Sequence, residues 1–273
     1  MIRILSTART EFRIALRNRW VAIALILMAV FSLVLALAGS APTGGLGVDR
    51  LSVTVASLTS LSVYLIPLLA LLMSFDAIAG ETERGTLPLL LAYPVARWEV
   101  LVGKLLAHLA ILTLAVLLGH GLAAAVTFWS DPTAVQGLPA LWRLSWSSVL
   151  LGATFLGAGY ALSALSRRPS GAAGLAIGLW LGLVVLYDLA LLSAIVADNG
   201  GWFTTDAFPV ALLANPADAF RLFNLTASGA TAAAAGVGGA ADAIPLWQSL
   251  VSVLLWPFAA LALAAAAFRK VTP

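Results

Sequence analysis

Residues 76–104 read DAIAGETERGTLPLLLAYPVARWEVLVGK and carry seven charged side chains: Asp76, Glu81, Glu83, Arg84, Arg97, Glu99 and Lys104. Residues 53–75 before the segment carry none, and after Lys104 none appears until Asp131. A charged island between two membrane-length apolar runs decides the fold class. The runs cross a bilayer as helices, because a helix satisfies its backbone groups within one segment. The island is then held at the membrane surface, and its punctuation predicts a short broken helix. Residues 81–84 suit a helix, Gly85 can take the left-handed conformation that ends one, and Thr86 can cap the next. Pro88 falls in the first turn of that second helix, where its missing N–H costs little. Leu87, Leu89, Leu90 and Leu91 form an apolar knuckle, and Pro94 stops it. Such a shape suits docking into a groove on a soluble partner.

Outward from the island, composition agrees. The chain is 62% hydrophobic and 10% charged, and its mean hydropathy of +1.02 lies outside the range of soluble domains. The net charge of +3 is no sign of nucleic-acid binding, since the basic residues gather at membrane boundaries. With no cysteine, disulfides, thiolate metal ligands and cysteine nucleophiles are excluded. Six apolar runs, at residues 20–38, 53–75, 101–129, 144–165, 171–197 and 246–268, predict an all-α polytopic membrane protein with six transmembrane helices. The first run covers about 28 Å as a helix. A basic start, an apolar stretch and Ala36-Leu37-Ala38 also fit a signal peptide, but the run exceeds a usual h-region and further spans follow, so it reads as retained. Residues 1–19 predict an amphipathic interfacial helix. Ile2, Leu5, Phe12 and Leu16 recur at helical spacing, and five arginines face anionic headgroups.

Six spans place both termini on one side. On that side lie 12 of the 15 Lys and Arg residues; only Arg50, Arg143 and Arg221 lie on the other. The positive-inside rule therefore puts the termini and the 76–100 loop in the cytoplasm of a bacterial inner membrane. Of the opposite loops, residues 39–52 and 130–143 are short and rich in turn formers, whereas residues 198–245 make a long periplasmic connection. Within it, Asn215-Pro216-Ala217-Asp218 reads as N-cap, first-turn proline and dipole-matched acid, opening a helix over residues 217–225. Phe220 and Phe223 either seal the subunit's own outer face or, with Arg221 at their rim, hold a periplasmic partner, the reading preferred here. Residues 227–243, nearly all Ala and Gly, fit a mobile linker or a closely packed small-residue helix.

Glu81, Glu83, Arg84-Gly85-Thr86, Leu90-Leu91, Pro94, Arg97 and Gly103-Lys104 together resemble the cytoplasmic signature loop of ABC-2 type permeases, the membrane subunits of ABC transporters whose ATPase is a separate chain. Pro88 departs from the pattern, where a polar helix former is more usual, so the second helix is expected to start late. The resemblance implies a dimer of such subunits and an ABC ATPase in the cytoplasm that binds ATP and Mg. Coupling would run through Glu81, Glu83, Arg84, Gly85, Thr86, Leu90, Leu91, Pro94 and Arg97, with the N-terminal helix also touching the ATPase. It further implies short extracellular helices between the fifth and sixth spans. Within the family the loops most resemble permeases serving maturation of the copper sites of periplasmic nitrous oxide reductase. That implies a periplasmic accessory protein and a sulfur cargo, a copper cargo or none. The alternatives are an exporter of another small or lipophilic substrate, or an ion-coupled secondary transporter, which would want more intramembrane charge.

Inside the spans, Gly171, Gly174, Gly178 and Gly182 make overlapping small-xxx-small patterns that admit a close helix, from the same subunit or across a dimer seam. The resemblance favours the seam. Asp188 lies in the same span, where a carboxylate costs roughly 2.5–3.5 kcal/mol and must find a partner or water. A count of 100° per residue puts it near the glycine side, facing protein. It reads as a polar point on the translocation path or as a hydrogen-bonded packing group. His108 and His120 stand about 18 Å apart along one helix and cannot share a metal ion. Met28 and Met73 lie on other spans, so no soft-ligand ladder for copper is expected, nor any metal or cofactor site. Trp98 stands where a phosphate-binding loop would need its first glycine. No nucleophile–base pair appears, so hydrolysis is expected in the partner.

Overall fold

The computed structural model describes residues 2–17, 19–38, 48–92, 95–235 and 244–271; Pro94, residues 39–47 of the first far turn and residues 236–243 of the Ala/Gly run lie outside the described residues. All regular structure among the described residues is helical. In order come α1 (Ile2–Leu16), α2 (Arg19–Ala38), α3 (Arg50–Ser74), the loop helices α4 (Ala79–Glu83) and α5 (Thr86–Ala92), α6 (Arg97–Ser130) and α7 (Leu138–Leu165). α8 (Pro169–Trp180) runs through a π-helical segment, Leu181–Leu186, into α9 (Tyr187–Asp198). A second π segment, Phe203–Ala207, leads into α10 (Phe208–Ala214), followed by α11 (Pro216–Thr226), α12 (Gly229–Ala234) and α13 (Leu246–Arg269). Among the described residues, six segments are long and apolar enough to cross a membrane: Val21–Ala38, Arg50–Glu83, Arg97–Ser130, Leu138–Leu165, Pro169–Asp198 and Leu246–Arg269.

The third and fourth spans, α6 and α7, begin furthest ahead of their apolar runs, by four and six residues. α6 opens at Arg97 because the Ala96 N–H donates to Glu99 Oε2 at 2.9 Å, which makes a charged first turn a helix start. α7 opens at Leu138 because Pro139 fits a first turn. α7 is the centre of the bundle and packs on α13, α3 and α6. At Gly157 a Cβ would stand 3.0 Å from the Ala260 backbone, so the close crossing with α13 requires glycine.

α1 does not simply float in a headgroup layer. Its Thr7, Glu11 and Ala15 side packs on the start of α6, leaving Leu5 and Leu16 exposed. Gly103 is the reason: an added Cβ there would meet Thr7 Cβ at 2.8 Å.

The long connection after the fifth span is largely helical. Asn199 (φ 47°) and Gly200 (φ 84°) turn the chain in left-handed conformations at the end of α9. α10 then returns between its own span and α13: Tyr187 Oη donates to Ala211 O at 2.9 Å, and Ser252 Oγ of α13 to Leu213 O at 2.7 Å. At the tip, Asn215 Oδ1 accepts from the Ala217 N–H while its Nδ2 donates to Leu183 O at 2.7 Å, halfway along the span and inside the π segment. α11 climbs back against α3, α7 and α13. The result is a re-entrant hairpin whose non-helical tip at Asn215 is buried in protein, the setting in which a membrane tolerates irregular backbone. α12, capped by Ser228, gives the start of the Ala/Gly run helical structure.

Candidate functional site

The charged loop folds as the broken helix its punctuation predicts, with one difference in capping. Gly85 is left-handed (φ 66°) between α4 and α5. α5 opens at Thr86 rather than late, with Pro88 as its third residue. Thr86 does not act as an N-cap acceptor; its hydroxyl donates back to Glu81 O at 3.2 Å and closes the turn. The start of α4 is capped from far away. Ser163, at the end of α7, accepts from the N–H groups of Ile78 and Ala79 at 3.0 and 2.9 Å. A hydroxyl aimed at two free N–H groups does the work of a local cap.

The loop is tied at two further points. Lys104 on α6 is buried, with Nζ 2.5 Å from Glu11 Oε1 of α1 and 2.6 Å from Glu81 Oε1. Arg97 Nη1 donates to the carbonyls of Phe268 and Val271, both at 2.6 Å, and stacks over the Phe268 ring at 5.6 Å. It thus caps the end of α13, where a cation suits both the last carbonyls and the helix dipole. Glu81 and Arg97, expected as surface contacts for a partner, therefore turn inward and hold the loop to the bundle. Leu87 is fully buried, while Leu90 and Leu91 are half-buried against the core. Left outward are Glu83, Arg84, Gly85, Thr86, Pro88 and Leu89, the last 66% exposed. Arg84 pairs with Asp76 at 3.5 Å in an exposed bridge of little energetic weight. Between α1 and the loop lies a groove of about 640 Å³ with Thr10, Ile14, Leu89, Leu90 and Val95 in its walls. A second cavity, of about 270 Å³, lies on the inner side of Lys104.

Residues 5–271 match the model of the ABC-2 family transporter proteins. The chain belongs to the ABC-2 family. It is 45% identical over 269 residues to the probable ABC transporter permease protein NosY of Pseudomonas aeruginosa, covering 96% of both chains. It is 41% identical over 274 residues to a protein of the same description from Stutzerimonas stutzeri, covering 99% of both. It is thus a multi-pass membrane permease of the ABC transporter type.

In this ABC-2 permease the remaining residues singled out by sequence fall in separate places. Gly171, Gly174, Gly178 and Gly182 line one face of the fifth span, and a Cβ at any of them would meet nothing within 4 Å. Internal packing therefore does not account for them. Asp188 does not join that face, because the π segment between Gly182 and Asp188 breaks the 100° count. Its Oδ2 accepts from Arg221 Nη1 at 2.9 Å, and the same nitrogen reaches Asp218 Oδ1 at 3.1 Å. Arg221 thus ties α11 to the span and is not the rim of a partner site. Phe220 and Phe223 are buried in their own subunit. Phe220 lies against Leu151, Thr154, Val253 and Trp256, and Phe223 meets Trp146 edge-on at 5.4 Å. The expectation that they hold a periplasmic partner is corrected, because the hairpin dips into the bundle.

The two histidines sit in separate buried sites. His108 Nδ1 lies 2.7 Å from Tyr160 Oη, and His120 lies 3.1 Å from Ser145 Oγ and 3.4 Å from Ser62 Oγ. Among the described residues no three metal-ligating side chains gather. Sequence reasoning missed Ser163, Glu11 and the role of Lys104. Only Lys104 left a signal, a lone cation inside an apolar run; the others act across 84 and 93 residues of chain.

Proposed function

We propose that this chain is the inner-membrane permease of a transporter whose separate ABC ATPase binds ATP and Mg and docks in the cytoplasm on residues 83–89. One observation carries the reading: the outward tip is bare, while its base is bonded to α7 through Ser163 and to α6 through Lys104, and Lys104 and Arg97 of α6 carry the ties on to α1 and α13. Force applied at the tip therefore reaches most of the bundle. A difference in contact energy of a few kcal/mol between ATPase states is enough to bias the membrane equilibrium. The open glycine face of the fifth span is the seam with a second copy. Exposed Trp129, Trp142, Trp202 and Trp247, all near the ends of spans opposite the termini, support a lipid interface at that level.

The name NosY borne by both relatives, together with the resemblance of the loops, supports a role in maturing the copper sites of periplasmic nitrous oxide reductase. A periplasmic accessory protein would receive the motion. His108 and His120 are each engaged by hydroxyls, which favours mechanical transmission over passage of copper along them. The test is co-purification of the ATPase with Glu83→Arg/Leu89→Asp. The pair is exposed, so thermal stability is expected to hold while the ATPase is lost. Retained ATPase and retained coupled hydrolysis would place docking elsewhere.

A further inference from the structure

Lys104 is 2% exposed, and its two carboxylate partners come from different elements, Glu11 from α1 and Glu81 from α4. α1 packs on α6 and α2, whereas α4 packs on α5 and α8. The two surface elements face each other across the 640 Å³ groove, with Lys104 of α6 reaching both. A buried ion pair contributes little net stability compared with apolar packing, and so is weak evidence for an anchor alone. What it specifies is register, because short charge-assisted bonds form only when all three elements hold fixed relative positions. One turn along α6, His108 carries the connection on to Tyr160 of α7. Gly103 sets the close contact of α1 on the same turn of α6.

We infer that Lys104 is a positioning residue for coupling, locking α1 and α4 to the start of α6 so that the three move as one body. A push on the exposed tip then turns α6 and, through His108 and Tyr160, α7. Without the lock, α4 shifts across the groove and the spans stay still. The inference rests on the ATPase reading above.

The cysteine-free chain allows clean spin labelling. One label pair, at exposed Arg13→Cys and Glu83→Cys, reports α1 against the loop; another, at Trp129→Cys and Val196→Cys, reports the opposite ends of the spans. Two backgrounds are compared with the parent in lipid bilayers: Lys104→Met, and Lys104→Met/Glu11→Gln/Glu81→Gln. The triple variant leaves no unpaired buried charge and is the one expected to fold fully. Without ATPase, both backgrounds should broaden the first distance distribution. With ATPase, both should still bind it, yet nucleotide should no longer shift the second distance. An unchanged first distribution, or a nucleotide shift like the parent's in the triple variant, overturns the lock. Loss of ATPase binding in the triple variant with a narrow first distribution also overturns it, by moving the cluster into the docking surface. If the parent itself binds no ATPase, the docking reading fails, and the first distance still decides whether Lys104 holds α1 and α4 together.

Discussion

Arg97 lies between exposed Ala96 and exposed Trp98, yet its guanidinium turns back onto the last carbonyls of α13. The residue pattern places a cation here and cannot say which way it faces, because its partners are 171 and 174 residues away. Arg97→Met should remove the charged donor from both carbonyls, leaving Phe268 O with the Val271 N–H at 3.3 Å, and destabilise the protein by about 1–3 kcal/mol. Arg97→Lys should recover only part of this, since an ammonium lacks the planar fork and the ring stacking. Thermal unfolding in detergent reads the difference. Unchanged unfolding together with lost ATPase binding would return Arg97 to the docking surface. Phe220 and Phe223 were illegible for a related reason. Large apolar residues after a good N-cap announce a helix that must be covered, but local sequence is silent on what covers it. Here the cover is α7 and α13, as the contacts with Trp146, Leu151 and Val253 show.

At the scale of elements, the fifth span differs from the others in what it leaves uncovered. Only 11% of its apolar window is buried, against 67% for α7. Gly178→Leu should therefore leave the monomer fold intact, since nothing lies within 4 Å to clash with, and should weaken the dimer. Cross-linking of cysteines placed beside Gly178 in two copies is the measurement. Efficient cross-links in the parent and their loss in Gly178→Leu are expected; absent cross-links in a well-folded parent would send the glycine face to lipid or to another protein. The glycine spacing was legible because it is local and periodic. The position of Asp188 was not, because a π segment has no period that hydrophobicity reveals, and it cancels any angular count made through it. The helix after Asn215 was legible from its cap. Its depth was not, because that depends on Leu183 O, a backbone atom in another element.

For the molecule as a whole, the most legible property was its length-scale pattern. Six apolar runs and a lopsided distribution of Lys and Arg needed no tertiary information, because the bilayer acts on each span and its flanks almost independently. Tertiary bonds are consistent with the sidedness: Arg97 joins the start of α6 to the end of α13, and Lys104 joins α6 to α1, so the loop, α1 and the end of α13 lie together. With 12 of 15 basic residues on that side, the loop should face the cytoplasm. Single cysteines at exposed Glu83 and exposed Gln136 test this in the cysteine-free background. A membrane-impermeant thiol reagent should label Gln136→Cys in intact spheroplasts and spare Glu83→Cys, with the preference reversed in inverted vesicles. Labelling of Glu83→Cys from outside would invert the whole molecule. The tip at residues 83–89 would then lie beyond the reach of any cytoplasmic ATPase, however well its geometry suits docking.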